Sequence, residues 1–338
     1  MSRRTLSLSL LMSFVALPVA AAAEKKTAPF DYYFRLRHHA FSPDGARLAA
    51  LDGKHAVGVW DTATGKQIAS FATSPDRDPT VKAFSFDNRT LACGQRDDTV
   101  RLFDVASGKN TATFAQKNRI HALAFSPDGK TLAIACVDLE GEARPKSEVA
   151  LWDLAAGKQT GTLPFPDGAL ISLRFSPDGK FLAAAARFKL QLWDAPEKKT
   201  VATLKARTVF GSFAFSPDSK TLAYCDAGGI GLWNTERRRK SALLAFEAKG
   251  KNSPALFAFS PDGATLAAAC DDEAIRLWDV ATRKQTATLE GHTEPIDALA
   301  YTPDGKTLAS VTVHQASLFL WDSAAGKALR RTDPRAGK

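Results

Sequence analysis

The side chains in this sequence best suited to bind a metal or carry a nucleophile are six histidines and four cysteines. The histidines are His38, His39, His55, His121, His292 and His314, and only His38 and His39 are neighbours. Adjacent residues of a strand point to opposite faces, so this pair does not converge on one ion, and no zinc-type ligand spacing occurs. No nucleophile elbow and no phosphate loop is present. Cys93, Cys136, Cys225 and Cys270 each close a similar apolar run, starting at Leu91, Leu132, Leu222 and Leu266. They hold related places in different segments, so they are expected to lie too far apart to bridge and to act as buried apolar fillers. The expected catalytic, metal-binding and cofactor-binding sets are therefore empty.

What recurs is a structural phrase. Phe-Ser-Pro-Asp-Gly, or a near copy, starts at Phe41, Phe84, Phe125, Phe175, Phe215, Phe259 and Tyr301, and each copy is followed by Leu-Ala. Each then reaches an aromatic-acidic pair or its relic: Trp60-Asp61, Phe103-Asp104, Trp152-Asp153, Trp193-Asp194, Trp233-Asn234, Trp278-Asp279 and Trp321-Asp322. The aromatic returns after 43, 49, 41, 40, 45 and 43 residues, a period that fits four strands per unit. In one unit, Ala122 to Phe125, Leu132 to Cys136, Val149 to Asp153 and Gln159 to Leu163 read as strands, separated by turn residues. An apolar residue stands eleven places after each of the first six aromatics: Phe71, Phe114, Leu163, Leu204, Leu244 and Leu289. A lone four-stranded sheet cannot bury both faces, whereas sheets packed around an axis can. The expected fold is all-β, a seven-bladed β-propeller of four-stranded antiparallel blades over residues 24–338.

These residues resemble the WD-repeat propeller family over about residues 33–332. The departures are informative. The family's Gly-His pair survives at Gly291-His292, and its acid six places before the aromatic survives at Asp97 and Asp272. In the seventh unit His292, Ser310 and Trp321 match the family's hydrogen-bond network, but Gln315 stands where the acid belongs. Apolar packing and turns must then carry most of the stability. The last strand looks degraded, because the eleventh residue after Trp321 is Thr332 and follows Arg330-Arg331. The family often closes its ring with the chain's start, and Pro29 to Phe34 is the expected closing strand; a self-contained seventh blade is the competing reading.

The resemblance places the Ser-Pro-Asp-Gly turns and the turns after Trp-Asp on one face. These turns read as solvated and structural, including the cationic run Arg237-Arg238-Arg239-Lys240. The opposite face carries the variable loops, where function tends to reside. Its clearest mark is an eight-residue insertion within Val137 to Glu148, with Glu140, Glu142, Arg144 and Lys146. Arg77, Phe188, Arg207, Lys249 and Lys251 join it as a candidate protein- or peptide-binding surface, against the alternative of an insertion that merely drifted. In the innermost strands the residue before the aromatic is alanine six times and Arg174 once. One place earlier, His39 and Lys82 interrupt an apolar series, so His39, Lys82 and Arg174 are the candidate polar residues of the channel. Polar residues at an atypical terminal repeat are the blander account of the first two.

Residues 1–23 read as a secretory signal, with Arg3 and Arg4 before an apolar stretch and Ala21 and Ala23 at the cleavage site. No later run is long and apolar enough to span a bilayer as a helix. The expected location is periplasmic or secreted. The formal charge of +9 is spread over many turns, which argues against a specific nucleic-acid role. The resemblance implies a non-catalytic scaffold for a protein or peptide partner, with no cofactor. The runner-up is a hydrolase or lactonase with its site at the central channel.

Overall fold

The computed structural model describes residues 39–51, 56–73, 79, 81–138, 146–165, 168–186, 188–206, 213–245, 254–312 and 318–332. These residues form seven four-stranded sheets, each antiparallel with its strands in chain order, and no helix. Blade three shows how the sequence writes such a sheet. Its strands are Arg119–Phe125, Thr131–Asp138, Lys146–Asp153 and Lys158–Phe165. Leu132 stands opposite Phe125 on one side and Trp152 on the other, so the repeated Leu-Ala places a leucine between two aromatics. The pairing of third and fourth strands slips just before the aromatic in every blade, at Leu151/Trp152 and at Leu320/Trp321 among others. An extra residue there sharpens the local twist, which the blades of a ring require.

First strands of successive blades touch one another from blade one to blade four and from blade five round to blade one, so they form the inner wall. The apolar clusters lie between blades rather than within them. Val100, Leu102 and Phe114 of blade two pack with Ile120, Leu123 and Phe125 of blade three. Each such side chain removed from water contributes about 2 kcal/mol. Leu48 of blade one meets Ala298 and Val311 of blade seven, which closes the ring. Gly45, in the left-handed region at φ 69°, has so little room that a Cβ would run into the Tyr301 carbonyl of blade seven.

Two expectations need correction. The seventh blade is completed by its own fourth strand, Lys327–Thr332, paired along Leu318–Asp322. A fourth strand is the outermost of its blade and exposes most of its side chains, as Asn110–Ala115 does, so backbone pairing tolerates a polar sequence there. The segment Pro29 to Phe34 lies outside the described residues. The insertion in blade three is also not all loop. Val137 and Asp138 pair with Ser147 and Lys146, lengthening the hairpin, and 139–145 lie outside the described residues. The four cysteines are free, buried and in four different blades. Burial pushes the thiols of Cys93, Cys136 and Cys270 up to about 12, which keeps them unreactive.

Candidate functional site

One rim of the ring consumes its own polar groups. In each first turn a serine or threonine hydroxyl donates to the aspartate two places on, at 2.5 to 2.7 Å. The same aspartate accepts a backbone N–H at the turn's end, as Asp128 does from Lys130 at 3.0 Å. The Ser126 hydroxyl, then that amide, hold the Asp128 carboxyl below its usual range. In the Trp-Asp turns, Asp61 accepts from the hydroxyl of Thr64 at 2.6 Å and from its N–H at 2.7 Å. These turns are structural, and Arg238 within the cationic run sits in one at φ 51°. The family-type acids behave similarly. Asp272 makes a two-pronged ion pair with Arg276, and Asp97 pairs with Arg101 at 3.3 Å.

On the opposite rim the structure places two of the expected binding residues at corresponding ends of successive blades. Lys146 starts the third strand of blade three and is exposed. Phe188 lies in the tight turn of blade four, 62% exposed, and its carbonyl accepts from Ala206 N–H. Glu140, Glu142, Arg144, Arg77, Arg207, Lys249 and Lys251 lie outside the described residues.

The channel residues part company. His39 is tied to blade seven: its ring Nδ1–H donates to Asp297 at 2.7 Å, and its backbone N–H reaches the same oxygen at 3.2 Å. Both side chains are nearly inaccessible, at 5% and 1%. Asp297 was not singled out from the sequence. Its one signal there is an acid lodged in the apolar run Ile296 to Tyr301. Lys82 is half-buried opposite Cys93. Arg174 is exposed between the buried Leu173 and Phe175, opposite Ala183. Protein still encloses it closely enough that desolvation lowers its pKa. Among the described residues no three His, Cys, Asp or Glu side chains gather as a metal site.

In blade seven the partial network noted in the sequence is real. Trp321 Nε1–H donates to Ser310 Oγ at 2.8 Å, and His292 Nε2 lies 2.7 Å from the same hydroxyl. Gln315 lies outside the described residues.

The sequence pattern of the family described as WD domain, G-beta repeat matches residues 65–104, 108–139, 157–194, 255–279 and 283–322. Curated relatives share the pattern. Pre-mRNA-processing factor 19 of Oryza sativa subsp. japonica is 24% identical over 181 residues, 52% of this chain and 34% of that protein. Cell division cycle 20.1, cofactor of APC complex, of Arabidopsis thaliana is 25% identical over 166 residues, 46% of this chain and 36% of that protein. Small ribosomal subunit protein RACK1 of Caenorhabditis elegans is 33% identical over 86 residues, 25% of this chain and 24% of that protein. The matched stretch thus spans about a third or less of these relatives' length.

Proposed function

Since this chain belongs to the WD-repeat family, we propose that it is a non-catalytic scaffold that binds a protein or peptide, and that it works outside the cytoplasm once residues 1–23 are removed. The observation that carries the binding reading is the contrast between the rims. One is spent on self-satisfied turns, while the other offers the lengthened hairpin of blade three and the exposed Phe188 beside it. Aromatic anchors with flanking cations suit a partner surface of opposite charge. Glu140, Glu142, Arg144, Lys146, Arg77, Arg207, Lys249 and Lys251 complete the proposed surface. Relatives whose names place them in a ribosomal subunit or beside a larger complex support a role in assembly. The test is capture of a stoichiometric partner by the mature chain, repeated with Arg144→Glu and Lys146→Glu together. Binding lost in the double variant supports the surface; unchanged binding discards it. Export is tested by the N-terminus of the mature chain, expected near Glu24; a chain starting at Met1 in the cytoplasm overturns it.

The hydrolase or lactonase reading has one foothold. A carboxylate orients His39 as it would a general base. Turnover of a lactone or ester panel by the wild-type chain would favour it.

A further inference from the structure

The rim of self-satisfied turns has one seam unlike the rest. In blades two, three, five and six the residue that bulges from the fourth strand beside the aromatic is Thr111, Thr160, Ser241 or Thr286. Its hydroxyl donates to a third-strand carbonyl, that of Leu102, Leu151, Leu232 or Leu277, at 3.0 to 3.3 Å. In blade one that place is held by Ile68, between Gln67 opposite Trp60 and Ala69 opposite Val59, and it is 49% exposed. Blade one departs again where its second strand begins. Arg47 stands opposite Asp61, where five other blades carry threonine and blade four Phe181. Blades four and seven also have an apolar residue at the bulge, Val201 and Leu329, but neither has an arginine to go with it.

Both departures meet in one groove. Between blades one and two, about 520 Å³ is lined by Arg47, Ile68, Arg89, Asp104, Val105 and Ala106. Arg47 Nη1 donates to the Asn88 carbonyl at 2.6 Å, which anchors the guanidinium across the seam. The Arg89 carbonyl accepts from Val105 N–H at 2.8 Å, which fixes the backbone that carries the second guanidinium. Asp104, the acid of the lining, is already engaged by the Ser107 hydroxyl at 2.6 Å and N–H at 2.7 Å, and Asp87 beside Arg89 by the Ser85 hydroxyl at 2.5 Å. The matching groove between blades three and four, about 470 Å³, has the opposite character. Asp128 and Asp178 line it, Thr160 replaces the isoleucine, and Lys198 is tied to the Thr160 carbonyl at 3.0 Å.

We infer that the groove between blades one and two docks an extended acidic peptide, with an apolar side chain against Ile68 and a carboxylate on Arg47 and Arg89. A guanidinium fork meets a carboxylate in two parallel bonds, and arginine flanking an apolar contact is a common anchor of interfaces. This site lies on the other rim from the long-loop surface and does not depend on it.

The experiment measures fluorescence anisotropy of a labelled pool of short peptides combining leucine with aspartate in all spacings. Control pools carry asparagine for aspartate or serine for leucine. The first pool is expected to bind, and each control to bind about tenfold more weakly, the worth of one good contact. Ile68→Thr gives blade one the residue of blades two, three and six, and Arg89→Ala removes a side chain that closes no ion pair among the described residues. Each is expected to keep the fold and to weaken the first pool about tenfold. Equal affinity in either folded variant, or no binding of the pool by wild type, overturns the site. Tighter binding of a single-stranded oligonucleotide than of the pool overturns the peptide as occupant, and so does a dimer that Ile68→Thr disperses, which assigns the groove to a second copy.

Discussion

Blade seven and blade four bury the same ring in different company. Trp321, 1% exposed, donates its Nε1–H to Ser310. Trp193, also 1% exposed, has Ala184 at the matching place, two residues after Leu182, and its Nε1 finds no acceptor. Trp152 and Trp233 are in the same position, with Ile134 and Tyr224 where the serine would be. An unpaired buried N–H costs about 1 to 3 kcal/mol. A large ring removed from water contributes about as much or more. The blade therefore survives without the family's hydrogen bond, because the apolar contact across the seam outweighs it. Blade seven also carries the polar clasp to blade one through Asp297. The closing seam is thus the polar one, and the middle of the ring is held by grease.

Four measurements sharpen or break this contrast. The largest effect is shared by both regions. Burial pulls the Asp178 and Asp218 carboxyls up, but the Ser176 and Ser216 hydroxyls and backbone amides outweigh it and lower their pKa. Hydroxyl donors likewise lower Asp87, Asp262 and Asp304. A carboxyl depressed on folding stabilises in full above its ordinary value of 3.8 and loses that contribution as pH falls through its folded value. Denaturant midpoints should therefore fall as the pH drops below about 4, and hydrogen exchange should report both regions failing together. Flat midpoints across that window would deny the turns their role.

Next comes the clasp. His39→Ala leaves the Asp297 carboxylate buried and alone, and should cost about 3 kcal/mol in chemical unfolding, with exchange rising first at the seam between blades one and seven. An effect spread evenly around the ring would erase the distinction between seams. Ser310→Ala removes the acceptor of Trp321 and should cost about 2 kcal/mol by the same assay. The smallest change tests blade four from the other side. Ala184→Ser places a hydroxyl within the cluster that holds Trp193, and about 1 kcal/mol of added stability is expected; a loss would mean that the seam has no room for it.

Much of the fold was legible because its unit is local. Pro127, Asp128 and Gly129 write a turn, Leu132 and Trp152 write two faces that need cover, and seven repetitions fix how many blades can cover one another. The fourth strand of blade seven was misread because its pairing is made by backbone, which a side-chain pattern does not record. The channel was half legible. Arg174 stood out as one arginine among alanines, while Asp297 passed unnoticed because its partner is 258 residues away.

By itself, then, the sequence determined the blades, since strand, turn and apolar face are encoded within some forty residues of chain. Only the closed ring decided which charges are spent and which remain. Joining the first blade to the last ties His39 to Asp297, and bringing blade two beside blade one sets Arg47 and Arg89 in one groove. Those outcomes depend on the distance between side chains remote in sequence, and packing alone sets that distance.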